Sequence, residues 1–206
     1  LVTGMEMRWM RVRARPMAMG AKPAAARSSV EPRMTNRKTA VRTISMSLIS
    51  GFAQPKGKKE DQPDVIDLAK QAGYTYVNSK ADFVALKPGA GKVLAVNATL
   101  QDAFALPYEM DRKPEDLSLA DYTRKGIELL DNKKGFFMMV EGGKIDWAGH
   151  ANDAMANISD VIALDNAVAE AMAFQEKHPK ETLIIVTGDH ETGGMTIGFA
   201  GTKYST

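Results

Sequence analysis

Two short stretches hold most of the side chains that could bind a metal ion or move a proton. The first is Glu141-Gly142-Gly143-Lys144-Ile145-Asp146-Trp147-Ala148-Gly149-His150, and the second is Gly188-Asp189-His190-Glu191-Thr192-Gly193-Gly194. Glu141, Asp146, His150, Asp189 and His190 together make three carboxylates and two imidazoles. Three ionised carboxylates in one cleft repel each other, and their pKa values rise unless a cation joins them. Asp oxygen with His nitrogen suits zinc, and an all-oxygen site suits magnesium. The chain has no Cys, which removes thiolate ligands, thiol nucleophiles and disulfides from consideration. The glycine pairs Gly142-Gly143 and Gly193-Gly194 allow tight turns and close backbone approach to a ligand. Taken singly, each cluster has a bland reading. Glu141 could cap a helix or sit on the surface, Asp146 and His150 at i, i+4 could be a solvated pair, and Asp189-His190 could simply end a strand. The conjunction of the clusters points to a metal edge. His178 reads differently, as a surface residue favourable to the end of a helix, and Met138-Met139 reads as core.

The elements around these clusters must bring them together. Residues 136–140 form a continuous apolar run, as a central strand covered on both faces would. Residues 153–177 carry apolar positions at helical spacing, ended by His178-Pro179, and residues 182–187 read as a second buried strand. Strand, helix, strand is a βαβ unit, so the two strands should be parallel. Sites in open α/β sheets form at the carboxyl ends of parallel strands. If these strands are near neighbours, all five metal-type residues fall within several ångströms of each other. Upstream, Asp64 should cap a helix that closes at Gly73, and residues 74–77 and 92–96 read as short strands. Residues 80–86 should form a short helix. Ser118 should cap another to about Leu130, with Leu119, Tyr122, Ile127 and Leu130 facing inward.

Charge divides the 206 residues in two. Residues 1–50 hold ten Lys and Arg against two Asp and Glu, a net +8, whereas residues 51–206 carry a net −6. Eight of the ten early basic residues are Arg, and the remainder of the chain has only Arg112 and Arg124. The early segment supports three readings: a disordered basic tail, an arm for nucleic acid, or a stretch translated out of frame. Codons can be chosen for residues 34–50 that give a strand-like string one nucleotide earlier, which favours the third. No apolar run reaches the ~18–20 residues that span a bilayer. The expected organisation is therefore a basic segment over 1–50 and an α/β domain over 51–206.

At the two clusters the sequence resembles the alkaline phosphatase family. Val140-Glu141-Gly142-Gly143-Lys144-Ile145-Asp146 with His150 is similar to that family's Glu-Gly-Gly-Arg-Ile-Asp motif and its following His. Thr187-Gly188-Asp189-His190 is similar to its Thr-Ala-Asp-His motif, and residues 106–112 and 117–130 resemble the stretch before the first motif. The resemblance implies a three-layer α/β/α fold, incomplete in this chain, and hydrolysis of phosphate monoesters through a phosphoserine intermediate. It implies Glu141 as a magnesium ligand, Asp146 and His150 on a first zinc, Asp189 and His190 on a second, and Trp147 at a variable position beside the phosphate, where it either tunes substrate or metal preference or serves packing. It further implies a periplasmic or secreted parent, with a homodimer allowed and nucleic acid not expected as a partner.

The departures are specific. No Ser here stands in the family's Asp-Ser-Ala context, so no catalytic nucleophile is assigned, and the phosphate-clamping Arg has no counterpart. The early Asp shared between zinc and magnesium and the Thr on magnesium are also missing. The third ligand of the first zinc would lie beyond Thr206. The expectation is an internal piece of a phosphatase, marginally stable and nearly inactive alone. The alternatives are a non-catalytic metal-binding module with a basic nucleic-acid arm, or a sulfatase or phosphodiesterase of the same superfamily.

Overall fold

A computed structural model of the chain describes residues 3–10, 64–101 and 105–194. Helix starts follow the capping chemistry in the sequence. Asp64 accepts from the Ile66 N–H and opens α1 (Val65–Gln71), and Ser79 accepts from the Asp82 N–H and opens α2 (Lys80–Ala85). Ser118 and Asp121 form a reciprocal capping box at the start of α3 (Leu119–Leu130). Asp153 accepts from the Ala156 N–H and opens the long α5 (Ala154–Lys177). Gly73, at φ +81°, turns the chain after α1 as a C-terminal cap residue should.

A small parallel pair joins β2 (Tyr74–Val77) to β3 (Lys92–Ala95). Its core holds Val77, Phe83, Val93 and Tyr122. The second sheet positions the metal-type residues. It contains β1 (Thr3–Met10), β4 (Phe137–Glu141) and β5 (Leu183–His190) in the order β4-β1-β5. Helices α3 and α5 pack with β4 around Ile127, Leu130, Met138, Val140, Leu164 and Ala167. Alanines at 163, 167 and 171 are buried along α5, where small side chains let elements approach closely.

Two expectations about this sheet change. β4 and β5 run in the same direction, as the βαβ reading requires, but they are not hydrogen-bonded neighbours. Strand β1 lies between them, antiparallel to both. At about 4.8 Å per strand step, β4 and β5 are two steps, roughly 9.6 Å, apart. The strands are also not covered on both faces. Phe137 and Met139 are about half exposed while Met138 and Val140 are buried, so β4 alternates. Among the described residues only one layer of helices packs on β4, hence a half-buried pattern where the apolar run suggested full burial. The same holds on α5, where Ile158 and Ile162 face outward although their spacing placed them on the apolar side. Within the basic segment, Thr3–Met10 is a strand. The other residues of 1–50, with the readings made for them, lie outside the described residues.

Candidate metal centre

Helix α4 (Gly143–His150) begins directly after β4 and carries the first donor pair. Asp146 and His150 lie one helical turn apart, on one stripe. His150 Nε2 stands 3.5 Å from Asp146 Oδ2. Strand β5 runs through Asp189 and His190, because β1 pairs with it as far as Thr3 opposite His190. His190 Nε2 stands 3.5 Å from Asp189 Oδ2, and His190 Nδ1 lies 3.9 Å from Asp146 Oδ1. Asp146 therefore joins the two pairs, one carboxylate oxygen facing each imidazole. It is the least exposed of the four, at 24% against 51–69% for the others.

The helix–loop contact that creates this junction depends on glycines. Thr192 is buried, and its hydroxyl donates a short hydrogen bond to Asp146 Oδ1 and lies 3.4 Å from His190 Nδ1. The end of α4 presses on the loop after β5 at Gly149 and Gly193. A Cβ on Gly149 would lie 2.9 Å from the Thr192 carbonyl oxygen, and one on Gly193 would run into the Gly149 carbonyl oxygen. Gly193 also has φ +73°, a region that side-chain-bearing residues enter at a cost. Asn152, at φ +55°, turns the chain out of α4, and Asn157 holds the helix to α5 by donating to the buried Ile145 carbonyl at 2.9 Å.

His190 has its pKa raised, chiefly by the Glu191 carbonyl that contacts its Nδ1 and then by the Asp189 and Asp146 charges. A proton there has acceptors on several sides, the surroundings that also suit a cation.

The donors fit zinc in chemistry and spacing. Bonds of about 2.0–2.1 Å in a tetrahedron put two ligand atoms roughly 3.3–3.4 Å apart. Both Nε2–Oδ2 separations are close to that. Each pair supplies two donors, and among the described residues no group of three or more His, Asp or Glu is arranged to hold an ion.

Glu141 sits elsewhere. It is the last residue of β4, and its backbone pairs with Glu6, which on its other side pairs with Thr187, two positions before Asp189. It lines a cleft with Gly142, Lys144, Arg112, Glu109 and Asp160. The structure thus brings together four of the five expected donors and assigns Glu141 to this adjoining cleft. The physical cause is β1, which spaces β4 from β5. Trp147 packs its ring 4.3 Å from Lys144 Nζ. His178 caps α5 and lies on Phe174, in keeping with a structural role.

Sequence reasoning assigned no role to Thr192, Lys144, Tyr108 or Asp160. A small hydroxyl two positions after His190 and a cation three positions before Trp147 were the available signals. Thr192→Val, which keeps the shape and removes the hydroxyl, is expected to weaken zinc binding by about 10-fold while Thr192→Ser largely retains it. Competition with a chromophoric chelator measures this, and equal affinity in all three chains would rule out an orienting role.

Asp160 is buried, accepts from the Glu109 N–H at 3.3 Å, and has its pKa pushed up to about 6. Burial is the main cause. The Glu109 charge adds to it, and the Glu109 N–H and Lys144 act the other way. A carboxyl whose folded pKa exceeds its ordinary 3.8 binds more protons folded than unfolded between those values. Its contribution to stability is complete below that ordinary value and is lost as pH rises through about 6. Asp160→Asn should therefore flatten the fall in unfolding free energy across this interval in urea titrations, and an unchanged slope would exclude Asp160 as its source.

A mixed α/β fold with paired Asp and His donors at the ends of two co-directional strands defines the class into which the chain falls. Comparison with known proteins gives the family. The family model described as alkaline phosphatase matches residues 33–205, and the chain belongs to that family. The match takes in residues 33–50 of the basic segment, which the motif resemblance did not reach. Alkaline phosphatase 4 of Bacillus subtilis is 45% identical over 135 residues, covering 65% of this chain and 28% of that protein. The repressible alkaline phosphatase of Saccharomyces cerevisiae is 35% identical over 152 residues, covering 68% of this chain and 26% of its own length. The crystal structure of a cold-active alkaline phosphatase from a psychrophilic Shewanella superposes with a TM-score of 0.55 at 30% identity, covering 70% of this chain and 35% of that one. The chain thus spans between a quarter and about a third of the length of these relatives. No helix among the described residues is long and apolar enough to cross a membrane.

Proposed function

We propose that the protein hydrolyses phosphate monoesters and that this chain contributes four zinc donors and one magnesium ligand to the reaction. The observation that carries the reading is the pair of Asp–His couples, each with donor atoms 3.5 Å apart, joined through Asp146. Asp146 and His150 hold one zinc, Asp189 and His190 the other, and Glu141 serves magnesium from the adjoining cleft. A solved His-to-Glu mutant of TAB5 alkaline phosphatase, at TM-score 0.50 and 28% identity, has magnesium bound in its M3 site, which supports magnesium as an ion that proteins of this fold take up. Two zincs supply electrostatic stabilisation of the entering and leaving oxygens of a phosphoryl group. The chain's own residues orient this charge. Thr192 fixes one oxygen of Asp146 and leaves the other toward His150, while Asp189 accepts the His190 backbone N–H at 3.0 Å and so has one oxygen set. The substrate is a phosphate monoester, and the whole protein acts in the periplasm or outside the cell.

Zinc titration of the chain tests the reading. Two equivalents should bind, with His150→Ala and His190→Ala each removing one. Binding no tighter than that of the double variant would overturn it. For the whole protein, turnover of a chromogenic phosphate monoester should require zinc and magnesium and should stop on chelation.

A further inference from the structure

We propose that Lys144 is a positioning residue that fixes the Trp147 indole beside the metal edge by holding its ammonium between the rings of Trp147 and Tyr108. Lys144 is only 8% exposed, which is unusual for a residue type that rarely leaves water unless it is paired. Its Nζ lies 4.1 Å from the Tyr108 ring centroid and 4.3 Å from that of Trp147. An ammonium withdrawn from water needs compensating negative potential. Two aromatic faces provide it, and the buried Asp160 carboxylate feels the same charge. Three segments meet on this one side chain: α4, the loop before α3 that carries Tyr108, and α5 through Asp160.

The consequence for the site follows from helix geometry. Lys144 and Trp147 are three apart and share one stripe of α4, while Asp146 and His150 are four apart and share another. Trp147 is also three residues before His150, so an indole held at Lys144 Nζ borders the donor pair as a fixed wall. A wall held in one place limits which leaving groups can approach Asp146 and His150. This consequence rests on the proposed metal reading, whereas the clamp itself does not. It also explains why a cation occupies this motif position. Arginine, the residue of the related motif, stacks on aromatic faces at least as well as lysine.

The test uses the full chain with Trp9→Phe, so that Trp147 is the single indole. Lys144→Met keeps the apolar stem and removes the charge, Lys144→Arg keeps the charge, and Tyr108→Leu removes one ring. In chains with unchanged far-UV circular dichroism, Lys144→Met and Tyr108→Leu should raise acrylamide quenching of Trp147 about two-fold. Lys144→Arg should leave it at the parent value. Unchanged quenching in Lys144→Met, or an equal rise in Lys144→Arg, overturns the proposal. If Lys144→Met does not fold, Tyr108→Leu and Lys144→Arg decide by the same criteria. Zinc titration of the same set separates the two readings. A parent chain that binds no zinc overturns the metal reading and the leaving-group consequence, and the quenching comparison still decides the clamp.

Discussion

Asp146→Ala is expected to lower the zinc affinity of the chain by at least ~100-fold, more than any other single substitution at the edge. The reason is its place between the pairs. One oxygen stands 3.5 Å from His150 Nε2 and the other 3.9 Å from His190 Nδ1. Removing the carboxylate leaves His150 as a lone donor and takes from His190 one of the two Asp charges that favour a cation there. Asp189→Ala disturbs only the His190 couple, so it should cost one equivalent and leave the other titrating as before. The measurement is competition against a chromophoric chelator, with stoichiometry read from the break in the curve. If Asp146→Ala and Asp189→Ala lose the same equivalent with the same affinity change, Asp146 is not the junction between the pairs.

What could be read from the sequence was local. Asp64 and Ser118 each announce a helix because a cap acts over two or three residues, and each caps the expected helix. Asp146 and His150 were legible as a pair because one helical turn fixes their separation. Asp189 and His190 were legible because they end an apolar strand. The contacts that turn two pairs into one edge are long-range and leave little trace in spacing. Nothing in residues 3–10, where Glu6 and Arg8 alternate with Met and Trp, names β4 and β5 as partners, yet that strand sets the distance between them. Inserting a strand separates Glu141 from β5 by an extra step. The other donors still meet because α4 reaches across to the loop at Thr192. The half-exposed face of β4 was illegible for a related reason: an apolar run fits coverage on one face or both, and only the neighbouring layers decide between them.

The close approach of α4 to that loop makes Gly193→Ala the substitution with the largest expected effect on stability. Two costs add. An L-residue at φ +73° loses about 1–2 kcal/mol. The new Cβ also meets the Gly149 carbonyl oxygen, part of the backbone that closes α4, so the strain cannot be relieved by a side-chain rotation. Together these should cost roughly 3 kcal/mol or more in urea unfolding. Gly194→Ala separates the terms. It has φ +57° with nothing near its built Cβ, so it should cost only about 1–2 kcal/mol. Gly149→Ala tests the opposite partner at ordinary φ, where the new Cβ would sit 3.1 Å from the Thr192 side chain. Both Gly149→Ala and Gly193→Ala push the loop from the helix, so both should weaken zinc binding through the lost Thr192–Asp146 hydrogen bond, and Gly194→Ala should not. Equal unfolding costs for Gly193→Ala and Gly194→Ala would mean that the helix and the loop do not meet at this distance. The Asp146–His190 contact would then lose part of its physical basis, and the Thr192–Asp146 hydrogen bond would be left to tie α4 to the loop after β5.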